Sequence, residues 1–135
     1  MHNLVEYVHG KGLLFGLYGD RGWKTCAFRP GSGGLEGVHA AQFARWGVDY
    51  LKYDSCWASN DHQTAFKQYA AMRDALNATG RPILYSLCGW NVSAARTRAV
   101  NQPSRSALIT LGGLGCPGPA LESLAEEHPA ARRGH

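Results

Sequence analysis

Three apolar runs limit the folds open to this chain. Leu13-Leu14-Phe15-Gly16-Leu17-Tyr18, Val48-Asp49-Tyr50-Leu51-Lys52-Tyr53 and Ile83-Leu84-Tyr85-Ser86-Leu87 begin 35 residues apart, and a helical pattern fills each gap. Ala40, Phe43 and Trp46 lie about a turn apart in a segment from Glu36 that closes at Gly47. Ala65, Tyr69, Met72 and Leu76 share one face of a segment from Asn60 to Ala78 that stops at Gly80. Leu4, Tyr7 and Val8 mark an earlier helix ending at Gly10 and Gly12. Apolar runs without strict alternation, separated by amphipathic helices, predict wholly buried strands of a parallel sheet covered by helices. A barrel of βα units and an open doubly wound sheet both fit.

The repeat ends near Ser93. Residues 1–93 are expected to form one partial catalytic domain of βα units. Residues 94–135, rich in Gly, Pro, Ala and Arg, read as a poorly ordered tail. That tail has one apolar stretch at Ala107-Leu108-Ile109-Thr110-Leu111 and at most a short helix near Ala120 to Glu127.

Several function classes are excluded. The net charge of +4 comes from 14 Lys and Arg that are thinly spread, which does not make the clustered basic face of a nucleic-acid binder. No apolar run approaches the roughly 18 residues of a membrane span, and the opening Met1 to Glu6 carries no signal-peptide pattern. Cys26, Cys56, Cys88 and Cys116 match no zinc spacing, so disulfides or buried thiols are expected, with no metal and no cofactor. Asn77-Ala78-Thr79 and Asn91-Val92-Ser93 are possible glycan acceptors, a pattern that is common by chance.

In parallel βα folds the chemistry lies at the carboxyl ends of the strands. Those ends carry Tyr18 and Asp20, then Asp54 and Cys56, then Cys88, Gly89 and Trp90. Asp54 fits a catalytic carboxylate or a helix N-cap. Lys52, two residues earlier, emerges on the same face as Asp54 and fits either a sugar-binding ammonium or a structural ion pair.

Taken together, Tyr7-Val8-His9-Gly10-Lys11-Gly12-Leu13, Gly16-Leu17-Tyr18-Gly19-Asp20, Lys24-Thr25-Cys26-Ala27, Pro30-Gly31-Ser32, Phe43 to Asp54 and Tyr85-Ser86-Leu87-Cys88 resemble the α-galactosidase and α-N-acetylgalactosaminidase family. The resemblance covers about residues 4 to 92. It implies an α/β fold, a (β/α)8 TIM barrel of which this chain supplies about three units from the N-terminal half. It also implies hydrolysis of terminal α-linked galactose with retention, by a nucleophilic carboxylate and an acid/base carboxyl about 5 Å apart. On this resemblance Asp54 is the nucleophile, Tyr18 and Lys52 contact the sugar, and Lys52 helps keep Asp54 ionised. Asp20 and Trp90 are loop and wall residues, Trp90 being a further candidate for substrate binding. The implied partner is an α-galactoside, the implied disulfide joins Cys26 to Cys56, and the implied location is secreted, lysosomal or vacuolar.

The chain also departs from the family. A whole barrel takes about 250 residues. The family's Gly-Trp-Asn-Ser-Trp opening and Asp-Asp pair would lie before Met1. The acid/base aspartate and its preceding Arg are expected after Trp90, yet Glu122, Glu126 and Glu127 stand in no matching motif. Gly89 replaces a Glu that reads the sugar 2-hydroxyl in many members, which leaves α-N-acetylgalactosaminidase-like specificity open. A non-catalytic product with weak sugar binding is the alternative of a different class.

Overall fold

The computed structural model describes residues 1–88 and the backbone of residues 109–111. Expectations for Gly89, Trp90, Asn91, Cys116 and the helix near Ala120 fall outside the described residues. The elements run α1 (His2–Gly10), β1 (Gly16–Asp20), α2 (Glu36–Trp46), β2 (Tyr50–Asp54), α3 (His62–Ala78), β3 (Leu84–Leu87) and β4 (Ile109–Leu111).

The strands form one parallel sheet in the order β1-β2-β3-β4, which is also chain order. A doubly wound sheet reverses its order at a switch point, whereas barrel strands add one after another. The sequential order therefore decides for the barrel arrangement between the two left open above. β4 comes from the apolar stretch within the expected tail and pairs with β3.

Side-chain alternation divides the sheet into two faces. Leu51 and Tyr53 of β2 and Tyr85 and Leu87 of β3 pack with Ala40 of α2 and with Ala65, Tyr69, Met72 and Leu76 of α3 in one buried cluster. Tyr18, Lys52, Asp54 and Ser86 occupy the alternate positions and are turned away from these helices.

The first strand departs from expectation. It begins at Gly16 and is not wholly buried: Leu13 is 61% exposed and Leu14 48%. Leu13 and Leu14 belong to the connection from α1, and β1 is the edge of the described sheet, paired only with β2.

α2 ends at Gly47 in the left-handed region (φ 83°), where Gly47 N–H bonds Ala44 and Val48 N–H bonds Phe43. A Cβ at Gly47 would also press within 3.4 Å of Val5. The turn delivers Asp49, which has three partners. Asp49 Oδ2 accepts from Phe15 N–H at 2.8 Å and meets His9 Nε2 at 2.6 Å, while Oδ1 accepts from Arg81 at 2.7 Å. Arg81 also donates to the carbonyls of Gly47 and Val48. One buried carboxylate thus joins α1, the approach to β1, the α2 turn and the approach to β3. Asp49→Ala should cost about 2 kcal/mol by leaving the Phe15 amide without its acceptor and Arg81 with only its two backbone carbonyls. A fall in urea midpoint with the unfolding slope unchanged would register it.

Candidate active site

Asp54 ends β2 and is buried. Its Oδ1 accepts from the N–H of Ser55 at 2.8 Å, and its Oδ2 accepts from the Tyr18 hydroxyl at 2.7 Å. Tyr18 comes from the neighbouring strand, where it is in register with Lys52. Burial, followed by the Asp54 hydrogen bond and charge, holds the Tyr18 phenol well above its ordinary range. It therefore stays protonated and serves as a donor. Lys52 stands between Tyr18 of β1 and Ser86 of β3 and is half-buried.

Cys26 and Cys56 are joined, with their α-carbons 5.2 Å apart across a separation of 30 residues. The loops after β1 and β2 are thus tied beside Asp54, with Cys26 Sγ 3.6 Å from Asp54 Oδ2. Closing a loop of this length contributes roughly 3–4 kcal/mol in the chain-entropy description. Cys88 is disulfide-bonded as well. Asp20, Cys26, Asp54 and Cys56 converge within 4.8 Å, but the disulfide occupies both sulfurs that a soft metal would use.

Asp20 is opposite Asp54 in the β1–β2 register and is wholly buried. Its closeness to Asp54 approaches the spacing of a retaining pair. Burial pushes its carboxyl up to about 6, against the pull of two backbone amides. It nevertheless lacks the freedom of a proton donor, because Oδ1 is held by the N–H of Gly22 and Oδ2 by the N–H of Cys56, each at 2.8 Å. Its geometry is that of a clamp between the loops after β1 and β2.

Arg21 completes that clamp, and no spacing or motif marked it. Arg is almost never fully buried, yet this one is. Its Nε donates to Ser55 Oγ at 2.8 Å, one amino group donates to the carbonyl of Ser59 at 2.7 Å, the other to Gln68, and the guanidinium lies 5.3 Å from the Tyr69 ring centroid. Its backbone N–H bonds the Asp54 carbonyl at 3.0 Å, which carries the ladder one residue past the strand ends. Asn77, one of the possible glycan acceptors, lies near the C-terminal end of α3 and is half-buried. Among the described residues no helix is long and apolar enough to cross a membrane.

The folded Asp20 value of about 6 exceeds its ordinary 3.8, so the folded state binds this proton more tightly. Asp20 should therefore weaken stability as pH rises from about 4 to about 6. Asp20→Asn should remove that part of the slope and lose one amide hydrogen bond, at a cost of about 1 kcal/mol in acid. Urea midpoints of both proteins between pH 3.5 and 7 test the sign; parallel curves would refute it.

The sequence profile of the family described as Alpha galactosidase A matches residues 1–108. Alpha-galactosidase 3 of Arabidopsis thaliana is 55% identical over 89 residues, covering 66% of this chain and 20% of that protein. The Alpha-galactosidase of Lachancea cidri is 50% identical over 93 residues, covering 67% and 20%. A solved structure of alfa-galactosidase from Saccharomyces cerevisiae with raffinose superposes at a TM-score of 0.67 and 38% identity, covering 78% of this chain and 23% of that one. The chain spans about a fifth of the length of these curated relatives.

Proposed function

The chain belongs to the alpha galactosidase A family, and from that membership we propose that it carries the nucleophile side of a retaining glycosidase acting on terminal α-linked galactose. The observation that supports this reading most is Asp54 itself. It is a buried carboxylate at the carboxyl end of a barrel strand, hydrogen-bonded by Tyr18 and sharing its face with Lys52. In this mechanism Asp54 attacks the anomeric carbon, the bond to the leaving oxygen breaks, and a galactosyl ester forms that water later hydrolyses. Tyr18 and Lys52 offer a phenol and an ammonium as donors to the sugar hydroxyls. Tyr18 also orients Asp54 Oδ2.

The second carboxyl group, which protonates the leaving oxygen, is not among the described residues, since Asp20 is held by its two amides. The substrate class is α-galactosides, and raffinose, bound in the yeast relative's structure, is a reasonable member of it. An oxidising compartment, secreted or vacuolar, suits a site braced by a disulfide.

The test places residues 1–88 in a complete relative in exchange for the matching segment. A galactose-configured covalent inactivator should label Asp54, and Asp54→Asn should lower turnover by at least about a thousandfold. A label found on another carboxylate would remove Asp54 as nucleophile. The 135-residue polypeptide assayed alone on an aryl α-galactoside should be slower than the chimera by about a hundred- to ten-thousandfold, the contribution of a positioned proton donor. Comparable rates would show an acid/base within this sequence.

A further inference from the structure

Trp23, Phe28 and Trp57 gather where the loops after β1 and β2 meet, and the retaining chemistry assigns them no role. The rings of Trp23 and Trp57 are edge to face at 6.2 Å, and those of Phe28 and Trp57 are tilted at 5.1 Å. Lys24 Nζ lies 4.3 Å from the Trp23 centroid and 5.9 Å from that of Phe28. Despite these contacts the three residues remain 61%, 64% and 49% exposed, so much of each ring faces solvent.

The backbone beneath them is strained. Phe28 (φ 59°) and Trp57 (φ 50°) are the two non-glycine residues in the left-handed region among the described residues, and both belong to this cluster. A bulky residue there is a true outlier, and such strain persists where surrounding structure enforces it, most often at functional sites. The enforcement is visible. Phe28 is two residues from Cys26 and Trp57 is one residue from Cys56, so the disulfide fixes both. A Cβ on Gly22 would fall 2.1 Å from the Cys56 carbonyl, which shows how tightly the two loops are pressed together.

Cluster and nucleophile are thereby joined through the disulfide, since the Cys26 sulfur, bonded to Cys56 next to Trp57, is also 3.6 Å from Asp54 Oδ2. Asp54 is buried while the aromatics are open, so a substrate extending outward from Asp54 along this rim presents its leaving group to them. A pyranose ring offers C–H bonds on its faces, which favour the electron-rich face of an aromatic ring, and hydroxyls at its edge, which suit an ammonium such as Lys24.

We propose that Trp23, Phe28 and Trp57, with Lys24, form a platform that binds a pyranose ring on the leaving-group side of Asp54. The proposal rests on the glycosidase reading above and adds a preference for saccharide leaving groups.

The test follows the assigned side-chain indole and backbone amide signals of the 135-residue chain during titrations with melibiose, methyl α-D-glucopyranoside and galactose. Melibiose should move the Trp23 and Trp57 indoles, methyl α-D-glucopyranoside should move them more weakly, and galactose should move the Tyr18 and Lys52 amides without the indoles. Trp57→Gly relieves the left-handed backbone while removing the ring. It should keep or raise the urea midpoint yet weaken melibiose binding by roughly two- to tenfold, the range an aromatic contact supplies. Indoles indifferent to melibiose, or moved equally by galactose or by protein concentration alone, would overturn the platform. Failure of galactose to move Tyr18 and Lys52 speaks against the Asp54 reading, so the two failures are distinct.

Discussion

The in-register pairing of β1 with β2 is the constraint on which the rest of the site depends. It sets Tyr18 beside Lys52 and Asp20 beside Asp54, so the phenol reaches the carboxylate across one strand spacing. The ladder runs one bond further through Arg21 N–H. Past that point the two loops have no regular pairing, and the fold substitutes side-chain clamps and a disulfide. Asp20 holds Cys56, Arg21 holds Ser55 and Ser59, and Cys26 is bonded to Cys56. Without the register these partners would not meet.

Much of this was legible in the residues. α2 matched its expected bounds because both ends carry chemistry, an acidic first turn at Glu36 and a left-handed stop at Gly47. The carboxyl-end rule located Tyr18 and Asp54 because barrel geometry fixes where strand-end side chains go. The burial of β1 was misread, since an apolar run is the same whether its strand is central or at an edge. Neither Asp49 nor Arg21 could be read locally. Asp49 is defined by partners from three separate segments and Arg21 by the loop after β2 together with α3, and a fully buried arginine has no periodic signature. The positive φ of Phe28 and Trp57 was equally hidden, because glycine is the residue that announces that conformation.

Asp20 and Arg21 are adjacent buried charges, yet no direct hydrogen bond between their side chains is needed to hold either. Asp20 is satisfied by two amides and Arg21 by a hydroxyl, a carbonyl and a side-chain amide. Neutral partners of fixed geometry keep each group in one place, whereas a bare ion pair of two long side chains is less well specified. The Asp54 carboxylate beside such a loop gains a rigid floor.

The division of β2 into two faces has a genetic consequence. Along Tyr50–Asp54 the alternate positions answer to different demands: Leu51 and Tyr53 to the packing of α2 and α3, Lys52 and Asp54 to the opposite face. Substitutions in one set can drift without touching the other. A single-codon insertion or deletion inside the strand cannot, because a one-residue slip would send the carboxylate into the apolar layer and a tyrosine into its place. Length variation in descendants of this gene is thus confined to the loops, while the strand keeps two interleaved messages in one reading frame.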